Sequence, residues 1–297
     1  MRSKIFSPIL ILYLLFVFET ASFAQTNTPA KPPPQSQSYK LSANVSYHPG
    51  LSQCTGDIYT PNLAKGKQLP AVVVVHGGAF TSGSKDDFNA IESSIDLARS
   101  GFVVFDINYR LLSDDGTYPN NIIDVKLAAE YLFQNAPKYN IDRERIGVFG
   151  MSAGGYLALM AAYEPNAALK IKSPNHLKFA AAFCPITDLN QMSSATMIAN
   201  YLGCDFEQNK ALYKQASPTS YASTAVPTLL VHGDRDELVP VTQSTDLAEA
   251  VQPYTMVKLV RFKRADHLFS LKNCPQRALA LTQLVNFFQE SFECRQY

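Results

Sequence analysis

The chain has 297 residues, of which 46% are hydrophobic and 17% charged; that supports one large folded α/β domain and excludes a mainly disordered chain. The formal net charge is +1. No Lys/Arg run exceeds two residues, so there is no field to hold nucleic acid and no such partner is expected.

Arg2 and Lys4 precede a continuous apolar run, Ile9 to Phe18, and Ser22-Phe23-Ala24 then places small residues where a signal peptidase cuts, before Gln25. A charged start, a short apolar run and a small-residue site together read as a secretory signal peptide over 1–24. The run is shorter than the roughly 18 residues a spanning helix needs. No stable membrane anchor is therefore expected after cleavage, and the chain is expected in the periplasm or the medium. Residues 25–40 carry Pro29, Pro32, Pro33 and Pro34 among Ser, Thr and Gln, an extended linker with too little apolar surface to fold. The folded domain is expected over 41–297.

Leu41–Thr60, with Pro49-Gly50 inside, reads as an antiparallel hairpin. Ala71–Val75 is apolar and β-branched on both faces, as a buried parallel strand should be. Phe88–Arg99 has helical spacing at Ile91, Ile95 and Ala98. Phe102–Ile107 is a second buried strand. Asn120–Ala136 is helical, with Ile123, Leu127, Ala128, Tyr131 and Leu132 on one face. Arg145–Phe149 is a third strand, followed by a helix. Lys178–Cys184, Thr228–His232 and Val257–Phe262 continue the strands, and Arg277–Glu290 closes as an amphipathic helix. Strand–helix alternation of this kind builds a mostly parallel sheet covered on both faces. The polar stretch 188–224 breaks the alternation and sits where a cap could be inserted.

Five cysteines follow the expected cleavage site: Cys54, Cys184, Cys204, Cys274 and Cys294. Two bridges and one free thiol admit about 15 pairings. Cys184 with Cys204 is favoured on loop length alone, against mostly buried free thiols. Cys274 and Cys294 flank a helix that would hold them on the order of 30 Å apart, beyond disulfide reach.

Gly150-Met151-Ser152-Ala153-Gly154 lies between a strand and a helix. A serine on so tight a turn takes strained backbone angles, and its neighbours two positions away must be small. The competing reading is Ser152 as a helix N-cap. His76-Gly77-Gly78-Ala79-Phe80 follows strand Ala71–Val75 directly. Serine attack on a carbonyl creates an oxyanion that needs preorganised N–H donors; the amides of Gly78, Ala79 and Ala153 are expected to supply them. His76 reads as holding that loop rather than as the base. In His232-Gly233-Asp234-Arg235-Asp236, Asp236 is favoured as the catalytic acid and Asp234 as an Asx-type turn. His267, in the loop after the strand Val257–Phe262, is the expected base, ahead of His48, His176 and His232. The chain order Ser152, Asp236, His267 is that of the α/β-hydrolases. There is no H-E-x-x-H spacing, and neither metal nor organic cofactor is expected.

These residues carry a resemblance. Over about 41–290, "VVVVHGGAF", "DINYRLL", "GMSAGG", "HGDRDELVP" and "ADHLF" resemble α/β-hydrolase serine esterases, in particular bacterial feruloyl esterase-like and acetylxylan esterase-like enzymes close to hormone-sensitive-lipase-type carboxylesterases. The resemblance implies an α/β-hydrolase fold: a mostly parallel eight-stranded sheet with helices on both faces and a small cap. It implies hydrolysis of a small-molecule or carbohydrate ester, acetyl or feruloyl esters on polysaccharide among them. Tyr109-Arg110 and Asp124 match scaffold supports of the family. The chain departs at Ala79-Phe80, where relatives often carry Gly or Trp, and it has no Trp at all. Phe80, Tyr109 and Tyr156 are candidates for the pocket lining a Trp would give. A prolyl-oligopeptidase-like exopeptidase shares the triad, but no propeller-like repeat precedes the domain. A catalytically silent scaffold would usually have lost Ser152, Asp236 or His267.

Overall fold

Eight strands form one sheet in the computed structural model of the chain, in which the described residues are 39–62, 67–192, 194–267, 269 and 275–293. The signal peptide expected over 1–24, the linker as far as 38, Cys274 and Cys294 lie outside these residues. Tyr39 and Lys40, read above as the end of the linker, instead open β1 (Tyr39–Ser46) and pair with Pro61 and Thr60 of β2 (Thr55–Pro61). Their backbone groups are taken up by a neighbouring strand, which composition alone does not report.

The chain continues through β3 (Leu69–Val75), α1 (Phe88–Arg99), β4 (Val103–Ile107), α2 (Asn120–Gln134), the short α3 (Ala136–Tyr139), β5 (Ile141–Met151) and α4 (Ala153–Tyr163). Then come β6 (Phe179–Phe183), α5 (Thr196–Leu202), α6 (Lys210–Gln215), β7 (Thr228–Gly233), α7 (Thr242–Val251), β8 (Val257–Phe262) and α8 (Pro275–Glu293). Strand order across the sheet is β1-β2-β4-β3-β5-β6-β7-β8. β1, β2 and β4 pair antiparallel, and every pair from β4 to β8 is parallel, which is the expected eight-stranded, mostly parallel sheet.

The pleat divides the core in two. Ala71, Val73 and Val75 of β3 pack with α2, α4 and α7 on one face, while Val72 and Val74 pack with α1 and α8 on the other. Both faces being covered explains the nearly unbroken apolar strands. The helix faces are rotated only in part from their expected spacing: Ala98, Ala128 and Leu132 are buried as expected, and the rest of each face is shifted. α1 buries Ala90, Leu97 and Ala98, and α2 buries Ile122, Val125, Ala129 and Leu132, while Ile91, Ile95, Ile123, Leu127 and Tyr131 sit half-buried at the margin. α7 had no signal of its own: its apolar content is low, and the sheet buries only Leu247 and Val251 beside polar Gln243 and Ser244. Among the described residues, no helix is long and apolar enough to cross a membrane.

Between β6 and β7 the alternation breaks as expected, and 188–224 folds into α5, α6 and a 3-10 segment, Pro218–Thr224. Tyr201 and Tyr213 of this insertion are fully buried.

Candidate active site

β5 ends at Met151, paired with Phe183 of β6, and Ser152 follows with φ 56° and ψ −123°. Such angles cost a non-glycine residue of order 1–3 kcal/mol and persist only where the surroundings over-determine them. Here the Ser152 amide donates to the Phe183 carbonyl at 2.8 Å, while the turn closes on small residues. A Cβ on Gly150 would stand 2.1 Å from the Gly154 carbonyl oxygen, and one on Gly154 would stand 2.3 Å from the His76 and Val75 carbonyl oxygens. The Ser152 side chain makes no capping bond to α4, which removes the N-cap reading.

The Ser152 hydroxyl instead meets Nε2 of His267 at 2.8 Å, and Nδ1 of His267 meets Oδ2 of Asp236 at 2.6 Å. A carboxylate only accepts, so Nδ1 carries the proton and Nε2 is left to take one from Ser152. Oδ1 of Asp236 accepts the backbone amides of Leu238 (2.9 Å) and Val239 (2.8 Å). Burial alone would push the Asp236 carboxyl up, but hydrogen bonds from His232, His267 and the Val239 amide outweigh it and hold it well below the usual carboxylate range. The Asx-type turn expected at Asp234 therefore belongs to Asp236. Asp234 reaches across to the Arg264 amide at 2.5 Å and ties the loop after β7 to the loop after β8, which carries His267.

The loop 76–80 runs through positive φ at Gly78 (117°), Ala79 (53°) and Phe80 (64°). The Gly78 carbonyl turns inward to accept the Thr81 and Ser82 amides, both at 3.0 Å, and any side chain at Gly78 would strike Ser82. His76 holds the loop as expected: Nδ1 contacts the Gly77 carbonyl at 2.7 Å, and the ring stacks on Tyr109 at 4.3 Å, whose hydroxyl donates to the His76 carbonyl at 3.0 Å. The aromatic residues proposed as pocket lining take another place. Phe80, Tyr109 and Tyr156 are 0%, 2% and 0% exposed and support the loop from within the core. Phe80 stacks on Tyr201 of the insertion at 4.1 Å, with Tyr156 edge-on at 5.5 Å.

Arg110 and Asp124 fill the scaffold role. The guanidinium grips the buried carboxylate at 2.7 and 2.9 Å, and the Arg110 amide adds a bond at 3.0 Å. Two residues on, the Leu112 amide donates to the Phe80 carbonyl at 2.9 Å. A cleft of about 670 Å³ opens there, lined by Leu112, Ser113, Thr117, Asn200, Asp205 and Gln208.

The cysteine pairing favoured on loop length does not form: Cys184 and Cys204 are both free, as is Cys54. Cys184 packs on the α1–α8 side of the sheet and Cys204 on the opposite side, so the sheet itself stands between them. Ligand atoms of Cys184, His232 and Asp236 lie within 4.8 Å of one another. A metal there would have to displace the protons that bind Asp236 to both histidines, so this set fits hydrogen bonding better than metal ligation.

A parallel sheet covered on both faces, a strained serine at the end of an interior strand, and an aspartate and a histidine on loops after later strands define an α/β-hydrolase. The chain belongs to the BD-FAE family, whose model matches residues 56–251. It is 30% identical over 259 residues to the esterase LipQ of Mycobacterium tuberculosis, an alignment covering 82% of this chain and 61% of that protein. With the acetylxylan esterase of Xylanibacter ruminicola it shares 28% identity over 178 residues, covering 58% of this chain and 34% of that one. A truncated carbohydrate esterase from gut microbiota superposes with a TM-score of 0.73 at 22% identity, over 88% of this chain and 99% of that one. The chain thus spans little more than half the length of LipQ and a third of the acetylxylan esterase.

Proposed function

We propose that this chain is a serine hydrolase of carboxylic esters. The observation that carries the reading is the unbroken hydrogen-bonded line from Ser152 through His267 to Asp236. Ser152 Oγ attacks the acyl carbon as Nε2 of His267 takes its proton, and Asp236 stabilises the imidazolium. The amides of Gly78, Ala79 and Ala153 receive the oxyanion, the strained loop and the start of α4 holding them in place before substrate arrives. Collapse expels the alcohol, which leaves with the proton from His267. Water then attacks the acyl-serine, giving its proton to His267, and Ser152 recovers it as the acid departs.

For the substrate we infer a small acyl group such as acetyl, or a polysaccharide-linked acetyl or feruloyl group, on a carbohydrate or similarly polar alcohol. A cleft joined to the oxyanion loop through Leu112 has Ser113, Thr117, Asn200, Asp205 and Gln208 beside Ala199 and Cys204 in its lining, a mixed setting that can take a polar leaving group. Similarity to proteins named acetylxylan esterase and carbohydrate esterase supports the same choice. The charged and apolar N-terminus supports export; the exported protein is expected to begin at Gln25, as N-terminal sequencing would show. The decisive test of function is labelling by a fluorophosphonate, followed by kcat/KM for acetyl, butyryl, octanoyl and feruloyl esters and acetylated xylan. Ser152-dependent labelling is expected, with acetyl or feruloyl esters preferred over octanoyl. Absence of labelling, or a preference for octanoyl esters, would overturn the activity or the substrate class respectively.

A further inference from the structure

The catalytic loop holds a second histidine. His232, the penultimate residue of β7, is fully buried, and its ring stands between α7 and the Asp236 loop. Nε2 lies 2.9 Å from the Val239 carbonyl and 3.2 Å from Oδ2 of Asp236, while Nδ1 lies 2.7 Å from the hydroxyl of Ser244, itself fully buried on α7. Both oxygens facing Nε2 only accept, so the proton sits there, and Nδ1 accepts from Ser244. The His232 N–H is shared between the Val239 carbonyl and Asp236, so Oδ2 has an imidazole N–H on each side, closely from His267 at 2.6 Å and more loosely from His232 at 3.2 Å. With the two backbone amides on Oδ1, the carboxylate faces four N–H groups, one of them shared with Val239.

We infer that His232 is a positioning residue for catalysis: its Nε2–H, fixed in that tautomer by Ser244, orients the Asp236 carboxylate and moderates how strongly it holds the protonated His267. The inference rests on the reading of Asp236 as the triad acid. A donor on Oδ2 draws off part of the negative charge that the imidazolium of His267 sees. Remove it, and the carboxylate binds that imidazolium more tightly, so a higher pH is needed to free the base. The carboxylate also gains freedom to rotate away from His267. The other titratable groups facing this cluster are the Cys184 thiol at the end of β6, pushed up by burial and so protonated, and Asp266 in the loop after β8. Neither carries a positive charge that could replace the lost donor.

The experiment compares His232→Leu, His232→Gln and the wild type on p-nitrophenyl acetate, with rates referred to the sites titrated by a fluorophosphonate. The Leu variant removes the donor, whereas the amide nitrogen of Gln reaches about where Nε2 stood. For His232→Leu we expect kcat to fall by about 10- to 100-fold with KM little changed, the scale of one lost hydrogen bond to a charged group. The acidic limb of its kcat/KM profile should move to higher pH by about half a unit or more. His232→Gln should recover most of kcat and return the limb. A merely structural role lowers the fraction of titratable sites and leaves the limb where it was; that outcome, or wild-type kcat in the Leu variant, overturns the inference. Should His232→Leu not yield folded protein, Ser244→Ala decides, since losing the tautomer lock should shift the limb the same way by less, and an unmoved limb overturns the inference. A wild-type chain that hydrolyses no ester overturns the proposed function and this inference together, whereas an active wild type with an unmoved limb overturns only this one.

Discussion

The two ends of α4 are built on opposite terms. At its start, Ser152 sits at a strained φ of 56° and spends its hydroxyl on His267 instead of capping the helix. At its end, the backbone carbonyls that a helix leaves open are all taken by side chains. Lys126 on α2 donates to Ala161 (2.7 Å) and Glu164 (2.8 Å) and to Asn166 Oδ1 (2.8 Å). Asn175 donates to Ala161 and Ala162, and Thr224 to Tyr163 at 2.8 Å. The proposed chemical end leaves the helix without a side-chain cap, and the other end is saturated by side chains from three other segments. Buried polarity at the first end should thus govern rate, and at the second stability.

The sharpest break of that contrast is Ser152→Ala, for which hydrolysis of p-nitrophenyl acetate should fall by about five to six orders of magnitude while the thermal midpoint stays at or above that of the wild type. Asp236→Asn should follow, with about a 10⁴-fold loss in kcat because His267 loses the tautomer it needs; Asp234→Asn, which only loosens the Arg264 loop, should leave kcat nearly unchanged. At the other end the effects should change kind. Lys126→Met removes the ammonium from Glu164 and Asn166, leaving Ala161 with Asn175 alone, and should cost about 2–4 kcal/mol in urea unfolding, with kcat of the folded fraction unaltered. That gap should also grow with pH. Burial holds the Lys126 ammonium down to about 8, against about 10.4 in the unfolded chain. Between those values the unfolded chain binds more protons, so this group's contribution to stability rises with pH. Urea titrations of wild type and Lys126→Met at pH 7.5 and pH 10 would show the widening. The smallest effect is expected for Thr224→Val, about 1 kcal/mol for one carbonyl left open, read in the same titrations. A kcat loss in either Lys126→Met or Thr224→Val at full occupancy of titrated sites would erase the distinction between the ends.

The first end was legible in the sequence and the second was not. The elbow at Ser152, the loop 76–80 and the loops of Asp236 and His267 are short runs in which glycine, serine or histidine stands where a strand ends, and backbone strain leaves a local composition behind. Within the loop after β7 the reading favoured Asp236, the carboxylate that meets His267, but gave the Asx turn to its neighbour, because Asp234 and Asp236 differ only in what the β8 loop brings to them. Lys126 has its partners 35 to 40 residues away, and a lysine among helix formers looks like a solvated face. The one local clue is that Lys126 falls beside Val125 on the buried side of α2, a side the spacing placed only in part. His232 likewise ranked low because its partners, Ser244 and Asp236, arrive only when α7 docks on β7.

The stack of Phe80 on Tyr201 sets a rule for how this scaffold can be altered. The loop 76–80 and the insertion share one aromatic joint, so exchanging the insertion to change substrate also exchanges part of the bearing on which that loop rests. Transplants of 196–215 that keep an aromatic ring at 201 should inherit working chemistry and a new fit. Those that do not would mistune the donors even with every triad residue intact.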